Sequence, residues 1–252
     1  MNLQILFATG NAGKIREIED ILTDPGVKVA SIKDAGIESE PEENGWTFEA
    51  NAIIKAKAVA DLLRFPGTPR WARERQALME RQDEMSREEL NRRLDAIGIL
   101  PVKLPQMNPQ ARLVIMADDS GLVIDALNGE PGIHSARYLG RETPYPEKMN
   151  HILTLMKDVP EEKRTAHFVA AVAAVLPDGS SFTVRGEIEG LIAHEIRGTN
   201  GFGYDPIFYI PELGKTSGEL PEYEKNQISH RGRASRLMMQ KLGEIYEGTN
   251  HQ

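Results

Sequence analysis

Residues 9 to 14 read Thr-Gly-Asn-Ala-Gly-Lys, between the apolar run Leu3–Phe7 and a helical pattern. Backbone N–H groups at such a strand-to-helix turn face an anion, and Thr9, Gly10, Asn11 and Lys14 add donors, room and a charge. The stretch is too short for a Walker A loop, and Ile15 follows the lysine where Ser or Thr is needed. Alone it reads equally as an ordinary β-α turn. Asp118-Asp119-Ser120-Gly121 follows a second apolar run. Adjacent carboxylates beside a turn can hold Mg²⁺, which uses one or two carboxylates plus phosphate oxygens and water. A carboxylate there can also take a proton from an attacking water. Asp and Ser are common turn residues, so the same tetrapeptide fits a plain polar turn.

Three further groups carry weaker signals. Glu42-Glu43, in the acidic stretch 38–45, is a solvated charge run or a second source of metal carboxylate. Gly201-Phe202-Gly203-Tyr204-Asp205-Pro206 is a turn packed by aromatics, or a loop whose glycines admit a ligand and whose rings stack on it. Lys225 and His230-Arg231 supply donors near a helix start. His134, His151, His167 and His194 lack ligand spacing and are expected to be structural or exposed.

The elements around these groups are legible from periodicity. Residues 3–8 read as a buried strand, 12–23 as a helix through Ile15, Ile18, Ile21 and Leu22, and 27–32 as a second strand. Thr47 is a plausible N-cap for a helix with Ala52, Ile53, Ala56, Val59, Ala60 and Leu63 inward. Leu113–Ala117 is expected to be a strand that ends at the aspartates, with 122–126 extended beyond. A helix is expected over 145–157. Strands over 165–176 and 181–192 are joined by Pro177-Asp178-Gly179, a hairpin signal. The last helix is expected over 232–247. This order implies an α/β fold.

Composition bounds the function. Hydrophobic residues make up 40% and charged residues 27%, as in ordinary globular proteins. A formal net charge of -8 argues against a sequence-independent grip on nucleic acid. The absence of cysteine excludes disulfides, thiolate metal sites and a Cys nucleophile, and fits a reducing cytoplasm. No signal peptide and no membrane span are expected.

The order of the motifs says more than any one of them. Thr9-Gly10-Asn11, Lys14 and Glu17 come first, then Glu42-Glu43, Gly45 and Thr47-Phe48, then Asn51-Ala52 and Lys55-Ala56. Asp118 to Leu122, Pro131-Gly132, Ser135 to Tyr138, Gly201 to Pro206 and Ser229 to Gly232 complete the string. The chain thereby resembles the non-canonical purine NTP pyrophosphatases, the inosine triphosphate pyrophosphatase or Ham1-like family, outside about 65–111. The resemblance implies an elongated mixed sheet flanked by helices, with two lobes and a central cleft, and usually a homodimer. It implies hydrolysis of ITP, dITP and XTP to monophosphate and pyrophosphate with Mg²⁺. Thr9, Gly10, Asn11 and Lys14 would hold the triphosphate and Lys55 would add charge. Asp119 would be the catalytic carboxylate, and Ser120 would touch substrate. Glu43 and Asp119 would hold the metal, with Glu42 or Asp118 as substitutes. Phe202 would stack on the base, Gly203, Tyr204 and Asp205 would line its pocket, and Lys225, His230 and Arg231 would read it.

The departure from the family pattern is the stretch 65–111, expected to be a helical excursion within a single domain spanning 1–252. It reads as a solvated hairpin, as a lid bringing Arg70, Arg73, Arg75 or Arg81 to phosphates, or as a contact surface through Trp71, Leu78 and Met85. Two other functions stay open: the same chemistry with shifted specificity, and a nucleotide sensor without turnover.

Overall fold

The structure, a computed structural model, describes residues 2–100 and 110–248. Its frame is a seven-stranded mixed sheet in the order β2-β1-β3-β4-β5-β6-β7. The strands are β1 (Leu3–Phe7), β2 (Val27–Ser31), β3 (Arg112–Ile124), β4 (Thr165–Val175), β5 (Ser181–Ile192), β6 (Phe208–Ile210) and β7 (Lys215–Thr216). β1 pairs in parallel with β2 and β3, and every later pairing is antiparallel. The helices are α1 (Ala12–Ile21), α2 (Phe48–Leu62), α3 (Pro69–Met79), α4 (Arg87–Asp95), α5 (Tyr145–Leu155), α6 (Glu222–Ile228) and α7 (His230–Gly248). Among the described residues no helix is long and apolar enough to cross a membrane.

Three apolar clusters hold these layers together. One packs α2, through Ala52, Ala56, Val59 and Ala60, on the face of the sheet carrying Leu6, Ile115 and Val169. A second packs α1 and α7, through Ile18, Ala234, Met238 and Leu242, on the opposite face, against Val114, Met116 and Val172. The third forms the other lobe, where Met149 and Ile152 of α5 meet Leu122, Ile124, Phe168 and Phe208. Each fully buried Leu, Ile or Val contributes about 1.5–3 kcal/mol, so both faces of the central strands are heavily anchored.

β3 corrects one sequence expectation. Asp118-Asp119-Ser120-Gly121 is no turn: the strand runs through it to Ile124, with Asp118 opposite Val172 and Asp119 opposite Ala171 on β4. Strand alternation then puts the two aspartates on opposite faces. Leu113, Ile115 and Ala117 face α2, and Asp119 continues that face; Val114 and Met116 face α1 and α7, and Asp118 continues theirs. Local propensity favoured a turn, but ladder pairing on β4 and cations from distant segments overrode it. Gly121 is required here: a Cβ would sit 2.3 Å from the Gly132 carbonyl oxygen and 2.5 Å from Ser135 Oγ.

Thr47 caps α2, accepting from the Ala50 N–H at 3.1 Å, a contact that contributes about 1 kcal/mol. The excursion forms α3 and α4, neither with a buried residue. It is tied to α2: the Arg70 N–H donates to Asp61, Arg70 Nη1 to the Leu62 carbonyl, and Leu100 N–H to the Leu63 carbonyl. Of the sequence expectations for this stretch, those on residues 101–109 lie outside the described residues. α7 begins at His230, two residues earlier than expected, and α6 before it was not expected at all.

Candidate active site

The sheet and its helices leave a cleft of about 550 Å³ between the lobes. Every residue to which the motifs assign a catalytic, substrate-binding or metal role lines it. Thr9, Gly10, Asn11 and Lys14 come from the end of β1 and the start of α1; Glu42 and Glu43 come from the loop before α2; Lys55 comes from α2; and Asp118, Asp119 and Ser120 come from β3. Phe202, Gly203, Tyr204, Asp205, Lys225, His230 and Arg231 complete the lining. Arg70, Arg73, Arg75 and Arg81 of the excursion do not line it. Arg70 pairs with Glu74, Arg81 with Glu84, and Arg75 lies over Trp71.

The phosphate-loop candidate is capped by its own asparagine. Asn11 Oδ1 accepts from the N–H groups of Gly13 at 2.9 Å and Lys14 at 3.2 Å. A Cβ at Gly10 would meet nothing within 4 Å, so glycine there leaves approach room rather than relieving a clash.

Asp119 lies on the α2 side. Lys55 Nζ donates to its Oδ1 at 2.8 Å and Asn51 Nδ2 to its Oδ2 at 3.2 Å. The same ammonium stands 3.5 Å from Glu43 Oε2. Two carboxylates therefore converge on one positive charge. That donor set fits a hard dication, which takes oxygen ligands and completes its shell with phosphate and water. Among the described residues no group of three or more His, Cys, Asp or Glu is placed to hold a metal ion.

Asp118 lies on the other side, saturated with cations. Lys14 Nζ donates to its Oδ1 at 2.9 Å; Arg231 Nε at 3.2 Å and Ser120 Oγ at 3.3 Å donate to its Oδ2. Arg231 also donates from Nη1 to Glu17 and from Nη2 to Ser120 Oγ at 2.9 Å. Lys225 bridges Glu17 at 2.7 Å and Asp205 at 2.8 Å. Glu17, Lys225 and Arg231 thus form one buried network at the cleft, with three of the five guanidinium donors already used.

These partners drive the neighbouring aspartates apart. Burial pushes the Asp119 carboxyl up, and Lys55 only partly offsets it. Burial also acts on Asp118, but Lys14 and Arg231 outweigh it and hold that carboxyl well below the usual range. Burial lowers Lys14, with Asp118 opposing. Burial acts to lower Lys55 as well, yet Asp119, Asp118 and Glu43 leave it raised. His230 is pushed well below the ordinary histidine value by burial, then by Arg231 and Lys225, and is neutral. Its ring stacks on Phe168 at 4.8 Å.

Sequence reasoning gave no role to several residues found here. Glu17 carried a helix-interior position with no visible partner, because its cations lie more than 200 residues away in sequence. Asn51 shared the α2 motif with Lys55 at a helical i, i+4 spacing, which was the available signal. Phe168 and Tyr145 gave none. His194 pairs with Glu161 in the open, as expected of an exposed histidine.

The chain matches the model of the Ham1 family over residues 5–72 and 72–241. It is 37% identical over 241 residues to a dITP/XTP pyrophosphatase of Yersinia pseudotuberculosis, covering 95% of this chain and 98% of that one. It is 36% identical over 247 residues to a dITP/XTP pyrophosphatase of Bacillus cereus, covering 97% of each. The Staphylococcus aureus Ham1 protein superposes with a TM-score of 0.70 at 32% identity, over 96% of this chain and 99% of that one. Sheet order, cleft and near full-length likeness agree, and the chain belongs to the Ham1 family.

Proposed function

We propose that this protein is a nucleoside triphosphate pyrophosphatase that hydrolyses ITP, dITP and XTP to the monophosphate and pyrophosphate, cleaning the nucleotide pool. The observation that carries this is the pair Asp119 and Lys55. A buried carboxylate with a raised pKa touches an ammonium at 2.8 Å, in a cleft with a helix N-terminus and Lys14. A triphosphate carries dense negative charge, which cations must offset before water can attack phosphorus. Lys14 and Lys55 supply two. Asp119 takes the proton of the attacking water, its raised pKa bringing it nearer to the range where a base works well. Asn51 holds the other carboxylate oxygen and fixes its direction.

Glu43 and Asp119 would hold Mg²⁺, with Glu42 and Asp118 as lesser candidates. When bound, the ion would supply Lewis-acid polarisation of the phosphate oxygens. Asp118 suits the role poorly, because both its oxygens already accept from cations or a hydroxyl. Phe202 offers a ring to a base. Gly203, Tyr204 and Asp205 line its surroundings, and His230, Lys225 and Arg231 supply donors. Arg231 and Lys225 are donors only, so a keto purine edge can pair with them while an amino edge would leave a buried donor unpaired.

We take the chain to be one two-lobed domain with α3 and α4 as an excursion, working as a cytoplasmic homodimer, with no role in binding nucleic acid or membrane. Sedimentation velocity tests the dimer. The activity is tested by incubating the protein and Mg²⁺ with dITP, XTP, dGTP and ATP, assaying pyrophosphate and orthophosphate separately. Pyrophosphate from dITP and XTP, with little from the other two, is expected. Equal rates on all four would favour shifted specificity. Binding without product would favour a sensor. Orthophosphate as first product would refute the reaction proposed.

A further inference from the structure

Tyr145 stands outside every motif, yet it lines the cleft. It opens α5, just after Pro144, and its ring is fixed from three sides. Tyr204 meets it edge to face, with ring centroids 5.2 Å apart and planes at 86°. A Cβ built on Gly203 would lie 3.6 Å from Tyr145 Cε1, so the ring stands beside the open face of that glycine. Beneath it lies Lys148, only 1% exposed, with Nζ 5.0 Å from the ring centroid. That ammonium has no carboxylate within salt-bridge distance among the described residues. It donates to the Ala136 carbonyl at 2.7 Å, and Ala136 also lines the cleft.

The two tyrosines of this wall differ in their hydroxyls. Tyr204 donates its hydroxyl to the Ser135 carbonyl at 2.9 Å and is spent. The Tyr145 hydroxyl has no hydrogen-bond partner among the described residues. Besides Lys148, its charged neighbours are Arg231 and Asp205, which stand against Phe202: Arg231 lies 5.2 Å from that ring and Asp205 accepts from the Phe202 N–H. A half-buried phenol that is held rigidly and can both donate and accept is suited to hydrogen-bond a molecule in the cleft. It is neutral and sits beside the aromatic loop, so a base suits it better than a phosphate does.

We propose that Tyr145 is a specificity-determining residue that hydrogen-bonds the purine base of the nucleotide, and that Lys148 is its positioning residue. The proposal rests on the pyrophosphatase reading. Lys148 clamps the ring against α5 and draws in the Ala136 carbonyl, so one buried cation sets both the ring and the neighbouring wall of the cleft.

The test uses the full chain and compares wild type, Tyr145→Phe, Tyr145→Ala, Lys148→Met and the Tyr145→Ala/Lys148→Met double variant. Thermal unfolding of each guards against misfolding. Tyr145→Phe keeps the ring and loses one hydrogen bond. It is expected to raise KM for dITP and ITP alike by roughly 3- to 10-fold, with kcat nearly unchanged. Tyr145→Ala is expected to raise it further. Lys148→Met is expected to raise KM in the wild-type background and to have little effect beside Tyr145→Ala. An unchanged KM in Tyr145→Phe overturns the contact. A loss confined to ITP overturns the base assignment, because the hydroxyl would then meet the 2′-hydroxyl. An equal Lys148→Met effect in both backgrounds overturns the positioning role. A folded wild type inactive on both nucleotides would sink the pyrophosphatase reading instead. Calorimetric binding of dIMP to wild type and Tyr145→Phe then decides for Tyr145: weaker binding to the variant supports the contact, and equal or no binding overturns it.

Discussion

Asp118 and Asp119 are neighbours in sequence and opposites in surroundings. Asp118 faces α1 and α7, where Lys14, Arg231 and Ser120 engage both its oxygens. Asp119 faces α2, where one ammonium and one amide meet it and Glu43 stands on the same ammonium. One carboxyl is held well below the usual range, and the other is raised. The difference teaches that a strand sorts chemistry by alternation. Successive side chains enter different electrostatic environments, so one aspartate anchors the lobe while the other stays reactive. Environments that drive two like groups apart commonly mark a division of roles.

The comparison can be broken at either side. Asp119→Asn is expected to lower kcat by about 10²–10⁴-fold, the usual contribution of a positioned base, with little loss of stability. Steady-state pyrophosphate release and a thermal melt check both halves. Asp118→Asn leaves Lys14 and Arg231 short of an anion. Breaking such buried pairs costs about 3–5 kcal/mol, so urea unfolding should show the larger loss here and not at Asp119. If Asp118→Asn were as stable as wild type, the anchoring role would fail.

Smaller effects sharpen the contrast. Lys55 pulls the Asp119 carboxyl down against burial. Lys55→Met should therefore move the acid limb of the kcat/KM profile to higher pH, as well as lowering kcat/KM about tenfold or more through lost charge stabilisation. In the wild type that limb reflects a base inactivated as pH falls through a value above the ordinary aspartate range. A limb that Lys55→Met leaves in place would assign it to another group.

Stability against pH follows the other side. Burial acts to raise Glu17, but Arg231 and Lys225 leave it lowered, and Asp118 is lowered likewise. A folded pKa below the unfolded one gives stabilisation that is complete above the unfolded carboxylate range and lost as pH falls through the folded values. His230, pushed down, adds to the loss: between its folded value and the unfolded histidine range only the unfolded chain binds the proton. Each group contributes a slope of at most about 1.4 kcal/mol per pH unit. These three groups lower the urea midpoint on acidification while Asp119 and Asp205, raised by burial, oppose them, and Glu17→Gln should flatten the decline below about pH 4.5, near the ordinary glutamate value. A parallel decline in the variant would contradict the network.

Much of this was legible in the sequence because the relevant signals were local or ordered. The β1-α1 turn, the Thr47 cap and the 165–192 hairpin each follow from residue types a few positions apart. The cleft residues were legible through the order of their motifs. What stayed hidden depended on distance. The aspartates read as a turn because nothing nearby shows that Lys14, Lys55 and Arg231 will neutralise them. Glu17 looked like a charge on a helix, since Lys225 and Arg231 meet it only after folding. α6 is seven residues long, too short for a periodic pattern, so Lys225 could not be given its helix. Tyr145 carries no motif, and only the packing on Gly203 and Tyr204 brings it to the cleft.

The most direct test of the division between the two aspartates is a carboxyl ¹³C NMR titration, with Asp118→Asn and Asp119→Asn assigning the signals. The account predicts that Asp119 titrates above the ordinary aspartate value while Asp118 stays ionised to the lowest pH at which the protein is folded. Similar titration of the two, or the reverse order, would contradict it.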